Sequence, residues 1–213
     1  MRPPQNWQNA RVTLVIAAVT ALAWLVVLVT GQEQMAAVMG GFIPGRLHAL
    51  HGTDLALAVL LTPLTATLIH SGIAHIAFNL IVLLFCGRLV ETILGSRAMI
   101  LLYIVGAYAA AGAHYLAGPH DIVPMVGASG AISAVIGASA MLFGRNRVNV
   151  ANPVLARWLH ALWLAAAWIV LNLLMGYSFE LEGITIAVAA HVGGFLAGLA
   201  LAKPLLLLKW RGA

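Results

Sequence analysis

Apolar residues gather along the chain in six long runs, at about Val12–Thr30, Ile73–Val90, Ala98–Ala117, Ala128–Phe143, Trp158–Gly176 and Ile184–Leu208, with short polar breaks between most of them. A bilayer's hydrocarbon core is about 30 Å thick and takes roughly 20 mostly apolar residues to cross as a helix. Runs of this length are too long for strands and lack the alternation of a membrane barrel. They predict an all-α membrane protein, a bundle of six transmembrane helices forming one domain over residues 1–213.

The longest connection, from about Gly31 to Gly72, has a different pattern. It mixes Pro44, Gly45, His48, His51, Asp54 and Pro63 with apolar stretches. Leu55, Leu57, Val59, Leu60 and Leu61 are too apolar for a solvated loop and too few to span. They predict interfacial helical pieces on the outer membrane surface, between spans one and two. The remaining connections are short, and the sequence shows no repeat, low-complexity tract or separate soluble domain.

Composition sharpens this picture. Hydrophobic residues make up 62% of the 213 and charged residues only 8%, too little polar surface to wrap a water-soluble core. Lys and Arg collect in short cytoplasmic loops, and with the N-terminus inside, ten of the eleven fall there: Arg2, Arg11, Arg88, Arg97, Arg145, Arg147, Arg157, Lys203, Lys209 and Arg211. Arg46 alone is outside. Both termini are therefore expected in the cytoplasm, and the net charge of +5 points to anionic lipid headgroups, not to nucleic acid. The first run is long, contains Trp24 and lacks a clear small-residue cleavage site, so it reads as a retained span and not a signal peptide. Cys86 is the sole cysteine, so no internal disulfide can form.

Chemistry in such a chain is sought among polar residues at membrane depth, which are costly there and face a protein interior or a watery cavity. Four stand out: His75, Asn79, Ser129 and His191. His75 and Asn79 are four apart, so they share a helix face near the outer end of span two. They read either as a helix-packing polar pair or as two hydrogen-bond donors aimed at a site. Ser129 lies in Gly127-Ala128-Ser129-Gly130, where span four begins. It reads either as a capping serine or as a nucleophile beside the unpaired N–H groups of a helix start. His191 lies in span six with Gly194 and Gly198 within about 60° of it on the helix surface. It reads either as a buried structural histidine or as a base. The small residues Gly130, Ser133 and Gly137 give span four a matching face, and packing the two faces would bring Ser129 toward His191.

These residues resemble the motifs of the rhomboid intramembrane serine proteases. The resemblance covers about Ile69 to Leu201. It is carried by H-x-x-x-N at His75 and Asn79, by Gly87, Glu91 and Gly95, by G-x-S-G at Gly127 to Gly130, and by A-H-x-x-G-x-x-x-G from Ala190 to Gly198, in this order on spans two, four and six. It implies a fold of rhomboid type and endopeptidase activity. Ser129 would be the nucleophile and His191 the general base, a dyad without an acidic third member. His75, Asn79 and the Ser129 backbone N–H would form an oxyanion hole, so that Asn79→Ala impairs more than it abolishes. His191 must be neutral to accept a proton, so activity should fall on acidification.

The resemblance further implies single-span transmembrane helices as substrates, Phe78 and Trp168 at a lateral gate, and the outer loop Tyr177–Gly183 over the site. Trp168 facing lipid is the competing reading. Glu91 would tie span two to its neighbours. Two features depart from the family. The first outer loop lacks a Trp-Arg pair, and Ser133 stands where many members have a tyrosine against the histidine. No cofactor or metal is called for. A catalytically silent rhomboid-like protein that binds membrane helices is one rival. A small transporter is another, although Glu91 near the inner face is the only acid within the spans. The compact chain suggests a bacterial cytoplasmic membrane.

Overall fold

A computed structural model describes residues 10–49, 56–144, 150–180 and 186–211. Among them there is no strand, only an isolated antiparallel bridge between Phe42 and Met125. The helices are α1 (Arg11–Thr30), α2 (Glu33–Gly40), α3 (Ala56–Thr65), α4 (Ile73–Val82), α5 (Arg88–Leu94), α6 (Ser96–Ala117), α7 (Ser129–Phe143), α8 (Pro153–Glu180) and α9 (Val188–Arg211). A π turn at Leu83–Gly87 joins α4 to α5, so Ile73–Leu94 runs as one rod. Five helical stretches are long and apolar enough to cross a membrane: α1, this rod, α6, α8 and α9. The protein is an integral membrane protein. Large apolar side chains such as Val29, Leu116 and Trp158 face outward along these helices, as lipid-facing surface requires.

Helices α6, α7 and α9 pack most tightly, with α7 at the centre. Their contact is built from small residues. A methyl group on Gly106 would strike the Ala134 side chain, one on Gly137 the Phe195 carbonyl, and one on Gly198 the Ala134 carbonyl. Close backbone approach of this kind is how membrane helices gain packing energy where lipid supplies no hydrophobic drive. Leu83, Val90, Met99, Leu102 and Val135 fill the core around α7.

Local sequence explains several helix ends. Gly31 at φ 63° closes α1 with bonds from the Gly31 N–H to Leu28 O and from the Gln32 N–H to Val27 O, a left-handed cap that glycine adopts without strain. The start of α1 has no side-chain cap of its own. Its N–H groups at Val12 and Thr13 donate instead to the Glu91 carboxylate, 3.0 and 2.8 Å away, which also accepts from Thr13 Oγ1 and Ser96 Oγ, both at 2.7 Å. One buried acid thus fastens α1, α5 and α6 together.

The helices depart from the apolar runs at the C-terminal end of the α4–α5 rod and at both ends of α8. The α4–α5 rod continues past Val90 to Leu94, carrying Glu91 with it, because the carboxylate is fully satisfied where it sits. Helix α8 begins at Pro153, five residues ahead of Trp158, because Asn152 Oδ1 accepts from the N–H groups of Val154 and Leu155 at 2.9 and 3.2 Å. At its other end α8 continues through Tyr177 to Glu180, so the first half of the expected loop Tyr177–Gly183 is helix. The rest of that loop, along with His51, Asp54, Leu55 and Ile184, lies outside the described residues.

Within the connection from α1 to α4, α2, a 3-10 turn (Pro44–Ala49) and α3 follow one another. Backbone bonds tie this segment to the loop before α7. Phe42 and Met125 exchange N–H···O bonds of 3.0 and 2.8 Å, the Gly45 N–H donates to Asp121 O, and the Gly127 N–H donates to Ala66 O. The loop leading into Ser129 is therefore anchored through the main chain, without a Trp-Arg pair.

Candidate active site

Ser129 opens α7. The first bond within this helix runs from the Ile132 N–H to Ala128 O, so the N–H groups of Ser129, Gly130 and Ala131 precede the first acceptor of their own helix. Gly127, two residues earlier, has φ 112°, and a side chain there would also meet the His75 ring at 2.7 Å. Only glycine fits both constraints.

Across the interface, His191 Nε2 lies 2.8 Å from Ser129 Oγ, a contact between residues 62 apart in sequence. The glycine face of α9 allows it: a methyl on Gly194 would fall on the Gly130 carbonyl. On the other side of the ring, His191 Nδ1 lies 2.9 Å from Oδ1 of Asn172, a buried residue of α8. The Asn172 amide nitrogen donates to Trp168 O at 3.0 Å, and the Trp168 indole N–H donates to His191 O at 3.2 Å. Residues 168 and 172, one turn apart, thus hold both the ring and the backbone of His191.

His75 stands beside this pair. Its Nδ1 is 3.1 Å from Ser71 Oγ, and its Cε1–Nε2 edge lies over Gly127. Asn79 is buried and donates to His75 O at 2.9 Å, which orders the pair along one face of α4. His70, just before α4, packs edge-on to His75 with ring centroids 4.9 Å apart, and its Nε2 accepts from the Ala128 N–H at 3.4 Å. Burial, reinforced by the neighbouring His75, lowers the His70 pKa to about 4, so its acceptor lone pair is available at neutral pH.

The remaining sequence candidates are Phe78, Trp168 and Ser133. Phe78 is exposed on α4. Trp168 is half-buried and stacks on Phe195, with centroids 4.8 Å apart, so its indole is not simply immersed in lipid. Ser133 does not reach the histidine: its hydroxyl donates to Ser129 O at 2.7 Å. Sequence alone did not single out Asn172, although an asparagine within an apolar span meets the same criterion that marked Asn79.

Fold and site together define a helical membrane protein with a serine and a histidine in hydrogen-bond contact beside a helix start. The chain belongs to the rhomboid family: the Rhomboid domain matches residues 59–208. It is 31% identical over 143 residues to Rhomboid protease GluP of Bacillus subtilis, covering 66% of this chain and 26% of that one. Similarity to Rhomboid protease GlpG of an Enterobacter species is 34% over 142 residues, 65% of this chain and 46% of the relative. For Rhomboid protease GlpG of Haemophilus influenzae it is 30% over 135 residues, 62% and 63% respectively. The chain thus spans from about a quarter to less than two thirds of the length of these relatives.

Proposed function

We propose that this protein is an intramembrane serine endopeptidase that cleaves transmembrane segments of other membrane proteins. The observation that carries this reading is the 2.8 Å contact of His191 Nε2 with Ser129 Oγ at the start of α7. Ser129 attacks the scissile carbonyl while His191 takes the hydroxyl proton and then returns it to the leaving amine. Water, activated by the same imidazole, hydrolyses the ester. The developing oxyanion is met by the Ser129 backbone N–H, by the free N–H of the Asn79 amide and by His75 Nε2, which carries the ring proton when Ser71 donates to Nδ1.

In this reading the chain crosses the bilayer six times with both termini in the cytoplasm, α7 being the fourth span. At 1.5 Å per residue its 15 residues measure about 22 Å, short of a hydrocarbon core of about 30 Å. A helix that short, started from a loop that dips inward, sets Ser129 below the outer surface. Water reaches it along the polar ends of α4, α7 and α9. Substrate, a single-span helix, arrives sideways between α4 and α8, with Phe78 and Trp168 at the gap. Among the described residues α8 leans on α9 and makes no extensive contact with α4. A bacterial cytoplasmic membrane is the proposed location.

The test is cleavage of single-span model substrates by purified protein in lipid, comparing wild type with Ser129→Ala and His191→Ala, alongside labelling by a fluorophosphonate probe. Both variants should be inactive while folded, and the probe should modify Ser129. Cleavage that survives Ser129→Ala, or a wild-type protein inert to substrate and probe alike, would overturn the proposal.

A further inference from the structure

We propose that Asn172 is the positioning residue for His191, a third member that turns the serine–histidine pair into a Ser129–His191–Asn172 relay. The inference rests on the assignment of Ser129 and His191 as nucleophile and base. A histidine can take the serine proton only if Nε2 is bare, which in the neutral ring requires the proton on Nδ1. Such a tautomer needs an acceptor facing Nδ1, and Asn172 Oδ1 lies there at 2.9 Å.

An amide presents either its oxygen or its nitrogen to a neighbour, and here the choice is fixed. The Asn172 nitrogen is 3.0 Å from Trp168 O, an obligate acceptor one turn back on the same helix, so the nitrogen must point there and the oxygen must face His191. Trp168 also holds the histidine's own carbonyl through its indole N–H. The ring is thereby fixed at Nδ1 and its backbone at the carbonyl oxygen, both from α8. Ser133, four residues after the nucleophile, is engaged with Ser129 O and leaves Nδ1 to Asn172.

The chemistry of the acceptor suits its depth. A carboxylate would bring a charge into a region where charges are expensive, whereas a neutral amide selects the same tautomer at no such cost. It also accepts the hydrogen bond from Nδ1–H of the imidazolium that forms during attack, the proton staying on the ring.

The test compares Asn172→Leu with Asn172→Asp in lipid. Both lose the amide N–H that bonds Trp168 O when the acid is ionised, but only aspartate keeps an oxygen toward Nδ1. Asn172→Leu should lower kcat about tenfold to a hundredfold with KM little changed, and Asn172→Asp should recover most of the rate. Nitrogen NMR of protein carrying labelled histidine supplies a readout independent of turnover. At neutral pH wild-type His191 should show a protonated Nδ1 and a bare Nε2, and Asn172→Leu should lose that signature. Where the leucine variant does not fold, Asn172→Ala makes the same comparison. Wild-type kcat in the leucine variant, equal losses in the leucine and aspartate variants, or an Nε2-protonated wild-type ring would overturn the assignment. The protease reading fails by a separate result, cleavage that persists in Ser129→Ala, whatever the Asn172 variants do.

Discussion

Substituting Gly194 by alanine tests whether the separation of α7 and α9 sets the geometry of the site. The added methyl would fall on the carbonyl oxygen of Gly130 and also press Ser133 Cβ at 3.3 Å. A carbonyl in the first turn of α7 is not the end of a flexible side chain and cannot swing aside. To reach a normal van der Waals distance of about 3.5 Å, the helices must part by roughly 1.5 Å. Such overpacking typically costs about 1–3 kcal/mol. Gly130 is the residue after Ser129 and Gly194 is one turn beyond His191, so the same displacement opens the 2.8 Å contact between Oγ and Nε2. A misplacement of about 1 Å between reacting groups costs about a hundredfold in rate.

Gly194→Ala should therefore lower kcat about a hundredfold while the protein still folds, with the thermal transition in lipid reduced by an amount equivalent to about 1–3 kcal/mol. Gly112 serves as the control: it lies in α6 with nothing near the position a methyl would occupy, so Gly112→Ala should leave the rate unchanged. The assay is cleavage of a single-span substrate in vesicles, normalised to folded protein, with the rate of fluorophosphonate labelling measured in parallel. Wild-type kcat in Gly194→Ala would refute the reasoning. So would an equal loss in Gly112→Ala, because it would trace the effect to glycine content instead of helix separation.

Two further outcomes follow from the polar contacts. Glu91→Ala removes the acceptor of four hydrogen bonds that join α1, α5 and α6, and should cost about 3 kcal/mol in thermal or chemical unfolding, with turnover per folded molecule preserved because none of these bonds touches Ser129 or His191. His70 resists protonation in the fold down to about pH 4, whereas unfolded chain takes the proton near 6.5. The unfolded state binds more protons between those values, so stability is complete above about pH 6.5 and declines as pH falls toward 4, by about 2 kcal/mol at pH 5. His70→Gln should flatten that part of the stability profile, and an unchanged acid dependence in the variant would refute the assignment.

Most of the helical framework was legible from apolar run length, because a helix crossing lipid must satisfy its own backbone and so advertises itself over about 20 residues. Boundaries were less legible where polar residues extend a helix. Asn152 and Pro153 start α8 outside the apolar run, and Glu91 prolongs the α4–α5 rod only because Val12, Thr13 and Ser96 come from elsewhere to meet it. The tie between the first connection and the loop before Ser129 consists of backbone bonds at Phe42, Gly45 and Gly127, which leave no side-chain signature.

The candidate site divides along the same line. His75 and Asn79 are legible as a pair because four residues on one helix bring them together without any knowledge of the fold. Ser129 and His191 are legible because glycines mark the faces on which their helices can meet. Asn172 has no such local sign, since its partner lies 19 residues away on the next helix and its own neighbours are apolar. The cost of a buried amide is the one clue the sequence holds: an asparagine in a membrane span must find both a donor and an acceptor, or it would not be retained there. Trp168 O supplies the acceptor from within α8, so the donor has to come from another helix, and a neutral histidine with its proton on Nδ1 is the group in contact that can give it.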